Sequence, residues 1–236
     1  MTHAQPNTRP HAPMRPPAEH PCYLAPYAEV VDRAGACFEA LLWRSRETQG
    51  ARFEVIAECA DLTGRVVADM GCGRADLAAW LAARGIQYGR YLGVDGVPEM
   101  VRFARDRAAR EGLAECGFIA ADFAADLRVF DRLATDHHAD CMIFSGSLNT
   151  LDPALAARVL GAAWTAVARR GGLLIFNFLS DRDGGPPASE IDKGPARRFD
   201  TLRMVRWALE RTSNIVLRHD YLDGQDATIA MRPARP

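Results

Sequence analysis

The sequence predicts an α/β fold, a mostly parallel sheet with helices on both faces, and three observations lead there. Short apolar runs with β-branched residues recur at intervals long enough to hold a helix. The first two runs each end in a carboxylate, Asp69 and Asp95. Between them Gly71-Cys72-Gly73 forms a tight turn into an alanine- and leucine-rich stretch, the pattern of a strand, a glycine turn and a helix. At 236 residues the chain suits one large domain with a sizeable core.

Residues 1–22 carry Pro6, Pro10, Pro13, Pro16, Pro17 and Pro21 among polar residues, which predicts a disordered tail ahead of a single domain over 23–236. From Tyr23 to about residue 62 helical patterns return, with Val30, Val31, Phe38, Leu41, Leu42 and Trp43 as apolar positions. This N-terminal helical cover either packs on the sheet or acts as a lid. Strand one runs Arg65 to Met70 between Gly64 and Gly71, and a helix begins at Asp76. Strand two runs Tyr88 to Val94 and is closed by Asp95. A third strand spans Gly117 to Phe123 and includes Asp122. The fourth, Asp140 to Phe144, opens into Ser145-Gly146-Ser147-Leu148-Asn149. After a helix from Pro153 to Arg170, the fifth strand runs Gly171 to Phe178. The loop 181–194 contains Gly184-Gly185-Pro186-Pro187, must be irregular, and is the second lid candidate. Asn214 to Tyr221 and Ala227 to Met231, joined through Asp223-Gly224, close the sheet as an antiparallel hairpin.

A glycine turn ahead of a helix N-terminus is a cradle for a polar ligand, because backbone N–H groups point outward and no side chain blocks approach. A carboxylate at the end of the next strand can accept hydrogen bonds from both hydroxyls of a ribose, the role expected of Asp95. A dinucleotide fingerprint would place a third glycine at position 76, where this chain has Asp76. That favours a nucleotide-like ligand other than a dinucleotide.

At these residues the chain resembles the class I S-adenosylmethionine-dependent methyltransferases of small bacterial type, whose first motif, acidic-x-Gly-x-Gly, is matched by Asp69-Met70-Gly71-Cys72-Gly73. It departs at Ala75, where many members carry a third glycine; alanine suits the first turn of a helix. The resemblance covers about residues 38–232 and implies a Rossmann-like, seven-stranded, mostly parallel sheet with a C-terminal antiparallel hairpin. It also implies S-adenosyl-L-methionine as cofactor, held by Asp69, Gly71, Cys72 and Gly73, with Asp95 and Gly96 at the ribose. Asp122 and Phe123 would meet the adenine, and Ser145 and Gly146 would lie under the methionyl part. A Gln-x-x-Arg-Phe stretch, Gln49 to Phe53, resembles one ahead of the first strand in some members. By that analogy Gln49 or Arg52 touches the methionyl carboxylate; the alternative is a helix whose buried stripe is Phe53, Ile56 and Ala57.

The implied reaction is in-line methyl transfer to a nucleophilic N or O of a small-molecule acceptor. His219 and Tyr221 are candidates for a base and an orienting hydroxyl, set against a structural hydrogen-bonding role on a strand near the sheet edge. Two other readings stand beside this one. A protein of the same fold could bind the cofactor without methyl transfer, or use it for other chemistry. An NAD-dependent oxidoreductase shares the opening βαβ unit but would want a third glycine and a separate catalytic domain.

Composition narrows the partners. A net charge of −1, with Lys193 the sole lysine and arginines scattered along the chain, argues against nucleic acid as a partner. No apolar stretch is long enough to span a bilayer, so no membrane is expected. Six cysteines without a CxxC pair read as free thiols in a reducing cytoplasm. His137 and His138 lack the further ligands of a metal site, so no metal is expected. Nothing in the pattern specifies an oligomeric state.

Overall fold

A computed structural model describes residues 20–182 and 195–234. Among the described residues it contains seven α-helices, α1 (Ala25–Ala34), α2 (Arg46–Cys59), α3 (Asp76–Ala83), α4 (Pro98–Glu111), α5 (Arg128–Thr135), α6 (Pro153–Ala168) and α7 (Thr201–Leu209). Eight strands alternate with them, β1 (Val66–Met70), β2 (Arg90–Asp95), β3 (Cys116–Ala120), β4 (Cys141–Phe144), β5 (Leu173–Ser180), β6 (Arg198–Phe199), β7 (Asn214–Arg218) and β8 (Asp226–Arg232). The order across the sheet is β3-β2-β1-β4-β5-β8-β7, with the two-residue β6 beside the end of β5. Strands β1 to β5 run parallel, and β8 is antiparallel to both β5 and β7. This is the Rossmann-like sheet expected, with its closing hairpin. Strand β6 went unread because two residues carry no alternation.

Alternate side chains along each strand serve opposite faces. On one face Val67, Tyr91, Ile143 and Ile175 pack with Phe53 and Ile56 of α2, Leu77 and Leu81 of α3 and Ala104 of α4. On the other, Ala68, Leu92, Met142, Phe144 and Phe176 pack with Phe130 and Leu133 of α5, Val159 and Leu160 of α6 and Met204 of α7. Burial on both faces explains why these strands read as continuous apolar runs. Gly71 and Ser145 follow the carboxyl ends of β1 and β4, and the chain order reverses between β1 and β4. In an open sheet a ligand crevice forms at that reversal.

The N-terminal cover divides in two. Helix α2 is part of the core, begun by a capping box in which Ser45 Oγ accepts the Thr48 N–H and Thr48 Oγ1 accepts the Ser45 N–H. Residues 20–45 instead overhang the sheet edge on a small separate cluster of Val31, Ala40, Val97 and Met100. Residues 1–19 of the expected tail, and 183–194 of the loop 181–194, lie outside the described residues.

Strand ends shift for visible reasons. Strand β3 stops at Ala120 rather than Phe123, because Asp122 Oδ1 accepts the N–H groups of Ala124 and Ala125 and turns the chain away from the sheet. Ala75 is also unlike its expectation. It precedes α3 in the left-handed region, φ 59° and ψ 35°, the conformation a glycine adopts freely.

Candidate functional site

The site begins at the turn after β1. Gly71 (φ 83°) and Gly73 (φ 49°) occupy the left-handed region, and the N–H groups of Gly71 and Cys72 both donate to Val94 O, at 2.7 and 3.0 Å. The turn is thereby clamped to the end of β2. A Cβ on Gly71 would stand 2.5 Å from Ser147 Cβ, and one on Gly73 would overlap Leu41. Ser147 adds a stitch from the β4 loop, its Oγ donating to Met70 O at 2.5 Å.

Three carboxylates surround this turn. Asp95 Oδ2 accepts the Gly73 N–H at 2.8 Å and Oδ1 accepts the Val97 N–H at 2.9 Å; burial nevertheless raises its pKa above the ordinary carboxylate range. Asp69 lies beneath the turn, where it accepts the Tyr91 hydroxyl. Burial pushes its pKa up to about 7, a rise opposed by the Tyr91 hydrogen bond and assisted by Asp95 and Asp76. Asp122, past β3, accepts the Tyr23 hydroxyl on Oδ2 at 2.8 Å while its Oδ1 holds the two backbone N–H groups.

The β4 loop is fixed from behind by Asn177 on β5, which is fully buried. Its Oδ1 accepts the Gly146 N–H at 2.7 Å and its Nδ2 donates to Ser145 Oγ at 3.4 Å. Opposite, a Cβ on Gly146 would overlap the Trp43 ring.

These parts enclose one cavity of about 780 Å³. That volume is within the roughly 300–1,000 Å³ of small-molecule and cofactor sites. Of the residues expected from sequence, Gly71, Gly73, Asp95, Gly96, Asp122, Phe123, Ser145, Gly146 and Arg52 line it. Asp69, Cys72 and Gln49 instead line a small adjoining hollow below the turn. Gln49 Nε2 donates to Asp76 Oδ2 at 3.3 Å, and Asp76 also pairs with Arg107. Arg52 forms a two-pronged ion pair with Asp226 of β8, Nε to Oδ1 at 2.7 Å and Nη2 to Oδ2 at 2.6 Å, with the Trp43 ring over its guanidinium. Arg52 is thus both a helix-face residue of the core and a wall of the cavity.

His219 and Tyr221 are not among the residues lining the cavity. His219 Nε2 meets Ser180 Oγ at 2.9 Å, and Tyr221 OH meets Thr228 Oγ1 at 2.7 Å. Sequence reasoning missed Tyr23, Leu24, Tyr27 and Asp226, which do line it. No local pattern marks the three cover residues, since their role depends on how the segment folds back; Asp226 beside the hairpin turn was the readable signal. Among the described residues no cluster of three or more His, Cys, Asp or Glu could hold a metal ion. No helix there is long and apolar enough to cross a membrane.

Residues 67–172 match the family model of the methyltransferase domain. The chain is 44% identical over 66 residues to the 23S rRNA (uracil(1939)-C(5))-methyltransferase RlmD of Shewanella denitrificans, a match covering 27% of this chain and 14% of that one. Against the RlmD of Shewanella sp. strain ANA-3 it is 33% identical over 103 residues, 43% of this chain and 20% of that one. The matches thus span a fifth or less of the curated relatives' length. Among solved structures, an O-methyltransferase family protein from Burkholderia thailandensis aligns with TM-score 0.62 at 19% identity, over 83% of this chain and 58% of that one. The matched region is thus that of a methyltransferase domain, on a fold shared with an O-methyltransferase family protein.

The relatives correct one expectation. Nucleic acid was not expected as a partner, yet the curated relatives are named for methylating 23S rRNA. The physical reason is that net charge averages over the whole surface, and arginines scattered in sequence need not be scattered in space.

Proposed function

We propose that this chain, whose central region is a methyltransferase domain, is an S-adenosylmethionine-dependent methyltransferase that acts on a nucleophilic N or O of an acceptor held in the cavity. The observation that carries the reading is the cradle itself. Two glycines at positive φ leave no room for a side chain, and two carboxylates, Asp95 at the end of β2 and Asp122 in the turn past β3, face the same cavity.

Residues of this chain fit the cofactor part by part. Asp95, whose oxygens hold the turn through two backbone N–H groups, keeps lone pairs for the two ribose hydroxyls. Asp122 takes the adenine amino group, Gly71 and Gly73 allow the backbone to lie against the ligand, and Ser145 and Gly146 support its methionyl part. Bound there, the cofactor supplies a sulfonium whose methyl carbon is open to in-line attack, with no covalent enzyme intermediate. The chain's own task is alignment and exclusion of water, which can supply much of the acceleration. Asn177 serves it by holding Ser145 and Gly146, and Trp43 by closing the side opposite. No proton acceptor is assigned; His219 and Tyr221 have structural partners instead.

The cavity has room for the cofactor and a compact acceptor, either a free small molecule or one base drawn from a larger nucleic acid. Free thiols at all six cysteines support a cytoplasmic location. The experiment is transfer of labelled methyl from S-adenosylmethionine, run in parallel on a small-metabolite extract and on ribosomal RNA. Label in either pool supports the reading and names the acceptor class. A protein that binds the cofactor yet labels neither pool is a cofactor-binding protein of the same fold.

A further inference from the structure

The segment ahead of α2 touches the cofactor-binding loops at four places. Tyr23 donates its hydroxyl to Asp122 at 2.8 Å. Leu24 fills the space above Gly96, where an added Cβ would stand 2.8 Å from its Cδ1. Leu41 covers Gly73 and Trp43 covers Gly146. Every one of these four residues also lines the cavity. A ligand resting on the glycine turn is therefore enclosed between that turn and residues 23–43.

Part of the attachment lies outside the two cores of the sheet. Tyr23 packs against the core on one face and Tyr27 hydrogen-bonds Thr150, while the rest of the segment rests on the small cluster of Val31, Ala40, Val97 and Met100. Segments held by few buried apolar contacts open at low free energy. The segment bends at Gly35, which leaves α1 at φ 74°, and ends at the Ser45 capping box, which starts α2 afresh.

The acceptor capacity of Asp122 links opening to the ligand. A carboxylate has about four lone-pair positions. Two are taken by the N–H groups of Ala124 and Ala125 on Oδ1, and a third by Tyr23 on Oδ2. One remains, on the same oxygen that Tyr23 holds, and an adenine amino group offers one N–H to it. The Tyr23 hydroxyl and the adenine thus share Asp122 Oδ2 without displacing one another. Tyr23 keeps that oxygen turned to the ligand and keeps the segment down over it.

Resting on the cofactor reading above, we propose that residues 20–45 form a cofactor lid latched by Tyr23 on Asp122, so that Tyr23 is a positioning residue for adenine binding. The lid lifts to admit the ligand and closes with the latch formed. This makes residence of the cofactor depend on a residue that sequence motifs do not mark.

The test uses the full chain and S-adenosylhomocysteine as probe. In the wild type the probe slows amide hydrogen exchange across residues 20–45. Tyr23→Phe, which removes only the hydroxyl, weakens the probe by roughly tenfold, the loss of one hydrogen bond to a charged group, and the loss appears chiefly as faster dissociation. If the wild type binds the probe with unchanged exchange over 20–45, or if Tyr23→Phe binds and releases it as the wild type does, the lid is overturned while the cofactor reading stands. If the wild type does not bind the probe, the cofactor reading falls and the lid with it.

Discussion

Asp95 both holds the protein and faces the cavity. It accepts the Gly73 and Val97 N–H groups, which fixes the glycine turn, and it lines the cavity where the proposed ribose role would use it. Asp95→Ala is expected to weaken S-adenosylhomocysteine binding by about 1–3 kcal/mol through the lost hydrogen bonds; calorimetric titration checks this, and unchanged affinity would remove the ribose role. Asp69 answers to pH instead. Its folded pKa, raised by burial from 3.8 to about 7, means that the folded protein keeps a proton which the unfolded chain has released. The stability contributed by the buried neutral acid is complete below about pH 4 and is lost as pH rises through about 7. Denaturation midpoints should decline across that window, and Asp69→Asn should flatten the decline. Equal slopes for the two proteins would refute the assignment. These carboxylates were legible because each ends or follows a strand. Ala75 was not: a left-handed backbone under an alanine leaves no mark in composition, and the residue type alone argued for a helical turn.

At the scale of elements, the sheet was readable wherever both faces are buried, since Val67-Ala68 and Met142-Ile143 are apolar throughout. Strand ends set by side-chain hydrogen bonds, as at Asp122, were not. Arg52 illustrates the same limit, because a residue on an amphipathic helix gives no sign of a partner 174 positions away. That partner matters energetically. With side chains only 7% and 1% exposed, Arg52 and Asp226 tie α2 to β8, and removing one member strands the other charge in the interior. Arg52→Ala or Asp226→Ala should each cost about 3–5 kcal/mol of stability, whereas an apolar pair of similar volume should cost far less. Urea midpoints decide it. A loss below about 1 kcal/mol would place the pair among surface ion pairs.

For the molecule as a whole, the fold and the glycine turn beside the cavity followed from motif order, while the cover did not, because its contacts with Gly73, Gly96 and Gly146 arise only when a distant segment folds back. The acceptor was least legible, since the walls of the cavity are spread over side chains from the cover, β8 and the loop after β4. The central claim is that this cavity holds S-adenosylmethionine. Calorimetric titration of the full chain with S-adenosylhomocysteine, with NAD as control, tests it most directly. The account predicts micromolar binding of the former and none of the latter, with added stability of about 2.7 kcal/mol at a hundredfold excess over Kd. Binding of NAD, or of neither ligand, would contradict it.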